Sequence, residues 1–150
     1  MRVVIQRTIN ASVHVNDKNI AEIDKGLLIF LGIEIDDNSE DVKWLASKIA
    51  LMRIFSDING KMNKSIIDID GNILLVSQFT LHAKTRKGNR PSFVRSASPE
   101  KAINLYKEFK KELSSNIGKN IKFGEFGADM KVSLTNDGPV TIIIDSKIKE

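Results

Sequence analysis

At 150 residues, with 41% hydrophobic and 28% charged residues, the chain has the size of one ordinary globular domain and can bury a core without covalent staples. It contains no cysteine, which excludes disulfides, thiolate metal sites and a cysteine nucleophile. The formal charge of +4 and the pI of about 9.3 favour a polyanionic partner without demanding one, since an uncommitted basic surface has the same composition.

From the N-terminal side, Val3 to Ile5 is too short an apolar run for the core of a secretory signal, and a cytoplasmic address is expected. No apolar run is long enough for a bilayer span, so no membrane segment is expected. "RVVIQRTINASVHV" alternates and is rich in β-branched residues, predicting one long strand or two broken near Asn10. "NIAEI" and the nearly continuous apolar run Leu27 to Ile35 follow across "DKG", predicting an antiparallel meander whose third strand is buried on both faces.

The period then changes. Val42, Leu45, Ala46 and Ile49 fall at helical spacing, with Asn38 or Ser39 as cap and Glu40 and Asp41 in the first turn. A polar loop with a short strand at Ser65 to Ile69 is expected next, then a strand through "ILLVSQFTLHA" and the basic loop "KTRKGNRPSFVRSAS". Ser98 followed by Pro99 predicts a second helix start, with Ala102, Leu105, Tyr106, Phe109 and Leu113 as its apolar stripe and Gly118 as its stop. "IKFGEFGADMKVSLTN" and "PVTIIIDS" read as two strands joined by a turn at "NDGP", where Pro139 stands awkwardly against an apolar β run. No linker, repeat or low-complexity stretch divides residues 1–150. The predicted fold is α+β, a single domain with a mostly antiparallel sheet curled toward a barrel and two amphipathic helices.

Three segments can carry chemistry. If "VSQFTLH" is a strand, Gln78, Thr80 and His82 share a face, which is either solvated or a pocket. In a pocket, Gln78 or a backbone N–H could donate to a carbonyl, while Thr80 positions water or attacks with His82 as base. Lys84, Arg86, Lys87, Arg90 and Arg95 crowd one loop with no acidic residue among them, suited to a phosphate-bearing ligand or simply to solvent. Phe126 and Met130 read as core, with Gly124 and Gly127 marking tight bends nearby. His14 and His82 lack any ligand-spaced neighbours, so neither a metal nor a cofactor is expected.

Taken together, "SQFTL", "KGNRPSF" and "NDGPVT" resemble the signature set of the D-aminoacyl-tRNA (D-tyrosyl-tRNA) deacylases. The likeness extends over "VIQR", "GLLIFLGI", "RIFSD" with "GKMN", and "FGADM", which is essentially the whole chain. It implies a single deacylase domain over residues 1–150. It also implies a cytoplasmic homodimer that hydrolyses the ester between a D-amino acid and the 3′ end of tRNA, and that can also clear glycine mischarged on tRNA(Ala). By resemblance Ser77, Gln78, Phe79 and Thr80 surround the terminal adenosine and scissile ester, and Phe126 and Met130 line the pocket. Gly138 and Pro139 form a Gly-cisPro motif offered to the partner's active site, and Arg7 braces it. The resemblance leaves open whether Thr80 acts as nucleophile or only lines the site. One departure is visible: Lys84 stands where the pattern implies an acidic residue.

Two rival readings arise from the residues alone. One is an RNA-binding module built on the basic loop, and the other is a small-molecule hydrolase using Thr80 and His82.

Overall fold

The computed structural model describes all residues, Met1–Glu150. Its chain order is β1 (Arg2–Val15), β2 (Lys18–Ile23), β3 (Gly26–Gly32), α1 (Ser39–Leu51), β4 (Phe55–Ser56), β5 (Met62–Lys64), β6 (Asn72–Ser77), α2 (Pro99–Ile117), β7 (Lys122–Phe123) and β8 (Lys131–Asp145). A 3-10 turn, Phe79–His82, follows β6 directly.

The main sheet runs β2-β1-β3-β6-β7, with β8 paired to β1, and it curls almost into a barrel. β1 is one unbroken strand that pairs antiparallel with β2, β3 and β8; it stands between β2 and β3, so the expected meander, in which β2 would pair with β3, does not form. The sheet is mixed, because β3 and β6 pair in parallel, as do β6 and β7. That explains the apolar runs of β3 and β6. Leu27, Ile29, Leu31 and Leu75 face the helix layer, whereas Leu28, Leu74 and Val76 face the inside of the curl. Gly26 sits where β3 meets β6, and a Cβ there would stand 1.8 Å from the Asn72 carbonyl oxygen.

α1 is capped by Asn38, whose Oδ1 accepts from Glu40 N at 2.8 Å while Asp41 Oδ2 accepts from Asn38 N at 3.0 Å. α2 begins with Pro99 after Ser98, but the Ser98 side chain makes no capping bond. The residues of its predicted stripe from Leu105 to Leu113 are buried against α1 and the sheet.

Three further expectations are corrected. The short strand lies at Met62–Lys64 rather than Ser65 to Ile69, where Asp68 Oδ2 accepts from both N and Oγ of Ser65 and closes a turn instead. β6 stops at Ser77, and the residues after it tighten into the 3-10 turn. Most consequentially, "NDGP" reverses nothing: β8 keeps one direction along β1 from Lys131 to Asp145, with its pairing interrupted only from Asp137 to Val140.

Candidate active site

The parallel strands β3, β6 and β7 end at one cleft of about 510 Å³. Ligands favour this place in sheets with parallel strands, outside the carboxyl ends of the strands. Leu31, Ile33 and Val76 form its apolar floor, and Ser77, Gln78 and Phe79 its rim. Phe126, Gly127, Ala128 and Met130 close one side, and Pro99 and Ala102 at the start of α2 close another. Tyr106 fixes α2 behind this wall, donating its hydroxyl to the Leu75 carbonyl at 3.1 Å and meeting Phe126 edge-on at 5.6 Å. Burial pushes its phenol pKa up, so it remains a donor. In the sequence Tyr106 reads only as part of the α2 stripe; the signal there is a tyrosine on a buried face, whose hydroxyl needs a partner.

Ser77, Gln78, Phe79, Phe126 and Met130 are thus gathered around one cleft. Thr80 lies beside it on the 3-10 turn, exposed, with its Oγ1 accepting from Gln78 Nε2 at 2.5 Å. His82 is not on the Gln78 and Thr80 face: the turn swings it into the core, only 2% exposed, and neither ring nitrogen has a hydrogen-bond partner. Its Nδ1 lies 3.9 Å from Glu34 Oε2, and burial pushes its pKa down. The expected Thr80–His82 pairing is therefore absent.

The basic loop is pinched at its base by paired backbone bonds between Lys84 and Ser92, at 2.8 and 3.0 Å. Arg86, Lys87 and Arg90 stand exposed beyond that pinch, and none of the three has a carboxylate partner. Arg95 is different. Its Nε and Nη2 both donate to Glu34 Oε2, fastening the end of the loop to the segment after β3. Phe93 meets Phe79 edge-on at 5.0 Å, carrying the loop to the cleft rim.

Arg7, Gly138 and Pro139 lie outside the cleft lining. Between the β1–β8 pairs Thr8↔Asn136 and Gln6↔Thr141, β1 spends only Arg7 while β8 spends Asp137 to Val140. The surplus bulges off the sheet and leaves Gly138 and Pro139 exposed, joined by a cis peptide bond. Gly138 has φ +128°, and a Cβ there would come within 3.0 Å of Arg7 Nη2, so only glycine fits without strain or displacement. Buried Arg7 braces the bulge: Nε donates to the Asp137 carbonyl at 3.2 Å and Nη1 to the Ile54 carbonyl at 2.7 Å. A larger hollow of about 810 Å³, beside Trp44 and the end of β8, holds none of the expected site residues. No group of three His, Cys, Asp or Glu side chains is placed to hold a metal ion.

Fold and cleft together define an α+β protein with a curled sheet that can receive a small, largely apolar ligand group at the ends of its parallel strands. Residues 4–145 match the model of the family described as D-Tyr-tRNA(Tyr) deacylase, and the chain belongs to that family. The D-aminoacyl-tRNA deacylases of Akkermansia muciniphila and Flavobacterium psychrophilum are each 59% identical to it over 150 residues, all of both chains. Among solved structures, one called c-Myc DNA Unwinding Element Binding Protein superposes with a TM-score of 0.92 at 39% identity, covering 97% of this chain and 98% of its own. A second, called a probable eukaryotic D-amino acid tRNA deacylase, shares the fold with a TM-score of 0.84 at 18% identity, covering 95% and 97%.

Proposed function

We propose that the protein hydrolyses the ester between a D-amino acid and the 3′ end of tRNA, releasing free D-amino acid and reusable tRNA. The observation that carries this reading is the convergence of Ser77, Gln78, Phe79, Phe126 and Met130 on one cleft, in a member of the deacylase family. An aminoacyl ester is already activated. The site needs to orient a water and favour the developing oxyanion; no strong nucleophile is required. The exposed Thr80 with no base beside it fits that demand, with the 2′-hydroxyl of the terminal adenosine assisting.

The finer part of the proposal is chiral selection. L and D isomers carry the same groups, so rejection requires a rigid wall. The exposed Gly138–Pro139 bulge, braced by Arg7 and outside its own chain's cleft, suits insertion into the cleft of a second copy in a homodimer. Glycine carries no side chain to collide with such a wall, so glycine mischarged on tRNA(Ala) is a further substrate. Phosphates of the tRNA are met by Lys84, Arg86, Lys87 and Arg90, and the reaction takes place in the cytoplasm with charged tRNA. The experiment offers purified protein D-tyrosyl-tRNA and L-tyrosyl-tRNA; rapid release of the D form alone is expected, and equal rates or an inert D form would overturn the reading.

A further inference from the structure

The bulge in β8 raises a hydrogen-bonding problem that one residue solves. Where the β1–β8 register breaks, Arg7 on β1 and Val140 on β8 have no partner opposite them in that pairing, and their carbonyls need donors from elsewhere. Both are acceptors, so they cannot satisfy each other. The Asn136 side chain bridges them: Nδ2 donates to the Arg7 carbonyl at 3.1 Å and to the Val140 carbonyl at 3.0 Å. A carboxamide nitrogen carries two hydrogens, one for each carbonyl, whereas a carboxylate of the same shape carries none. Arg7 holds the Asp137 limb of the bulge through Nε, which lies 3.2 Å from the backbone oxygen and 3.1 Å from the side-chain Oδ2. Asn136 spans the base, tying the Val140 limb to β1. Without it, the segment keeps Arg7 on one limb and the Gln6↔Thr141 pairing beyond the other, but the two carbonyls at its base lose the donor they share.

We propose that Asn136 is a positioning residue for chiral selection: its amide acts as a replacement rung that fixes the direction in which the Gly138–Pro139 backbone leaves the sheet. This rests on the reading of that segment as the chiral wall. Asn136 touches no reacting atom; it acts through the backbone of the bulge. Its removal should therefore spoil the discrimination between isomers more than it spoils hydrolysis itself.

The test compares wild type with Asn136→Ala, Asn136→Asp and Asn136→Gln in kcat/KM for D- and L-tyrosyl-tRNA. Ala and Asp are expected to lower the D-to-L ratio about tenfold or more, the change that loss of two backbone-directed hydrogen bonds can produce. Gln keeps the two-hydrogen donor and should recover part of the ratio. A wild-type ratio in folded Ala and Asp variants would overturn the proposal. Should those variants not fold, the wild type still decides: the Asn136 side-chain amide protons should exchange with solvent far more slowly than those of exposed Asn59, and equal exchange would overturn it. A wild type indifferent to chirality would instead sink the deacylase reading, leaving the exchange measurement to judge whether Asn136 bridges the bulge.

Discussion

Gln78 Nε2 donates to Thr80 Oγ1 at 2.5 Å, so the hydroxyl that a nucleophilic mechanism would employ is held by an amide and not by a base. A threonine nucleophile needs a neighbour to take its proton, and the nearest histidine in sequence, His82, is buried with both ring nitrogens unpartnered. Thr80→Ala is therefore expected to keep its single-turnover rate on D-tyrosyl-tRNA within about tenfold of wild type, less than the loss of general-base assistance costs. Complete loss in a folded variant would restore the nucleophile.

Arg7 is a buried cation bonded to two backbone carbonyls far apart in sequence, those of Ile54 and Asp137. Arg7→Met keeps the stem and abandons both acceptors. Hydrogen bonds to charged groups contribute about 1.5–3 kcal/mol, and the melting temperature should fall by roughly 5–10 °C in calorimetry. An unchanged melting temperature would mean that the bulge is held without the guanidinium.

Burial pushes the His82 imidazole below its ordinary pKa of 6.5, against the opposing pull of the Glu34 carboxylate. The folded protein takes up this proton only at a lower pH than the unfolded chain, which takes it up as the pH falls through about 6.5. Stability from this group is thus complete above pH 6.5 and declines below it. Unfolding free energies from urea titrations at pH 6.5 and pH 5 should differ less in His82→Leu than in wild type, and an equal pH slope would remove His82 as the cause.

Gly26→Ala tests the parallel pairing that positions the cleft. The added Cβ would meet the Asn72 carbonyl oxygen at 1.8 Å, and backbone cannot step aside as a flexible side chain can. A loss of more than about 4 kcal/mol is expected, in the range reserved for core overpacking and backbone strain, read from the urea midpoint. A midpoint within experimental error of wild type would show that β3 and β6 separate easily at that rung.

Much of this architecture is written locally. The Asn38 capping residue, the Ser98–Pro99 helix start and the apolar runs of β3 and β6 each depend on neighbours a few residues away. What was not legible depends on distant partners. "NDGP" has the composition of a reversing turn, yet it is β1, more than a hundred residues earlier, that keeps β8 travelling in one direction. Alternation through "SQFTLH" likewise reads as strand; tight packing of His82 against Gly32 accompanies a 3-10 turn there, since a Cβ on that glycine would stand 3.0 Å from His82 Cδ2. Asn136 looks like an ordinary turn residue until the carbonyls of Arg7 and Val140 are known to face one donor. Family resemblance names Gly138, Pro139 and Arg7 because motif order survives without geometry, whereas the amide that bridges Arg7 to Val140 is visible only in three dimensions.

The basic loop separates into two kinds of charge, and salt dependence can tell them apart. Arg86, Lys87 and Arg90 extend beyond the Lys84–Ser92 pinch without carboxylate partners, free to displace counterions from an RNA backbone. Arg95 is spent on Glu34, which ties the loop's end to the segment after β3. Each phosphate that the protein ceases to neutralise should flatten the slope of log affinity against log salt, by about 0.7 on a single-stranded 3′ end or about 0.9 on a duplex stem. Replacing Arg86, Lys87 and Arg90 with alanine should therefore lower the slope for tRNA by up to about 2–3 and leave the melting temperature near wild type. Arg95→Ala should do the reverse: it leaves the buried Glu34 carboxylate without its guanidinium, lowers stability, and keeps the salt slope nearly intact. If the triple variant kept the wild-type slope, the phosphates would have to lie elsewhere on the surface. If Arg95→Ala flattened it as much as the others, the Glu34 ion pair would have to open when RNA binds.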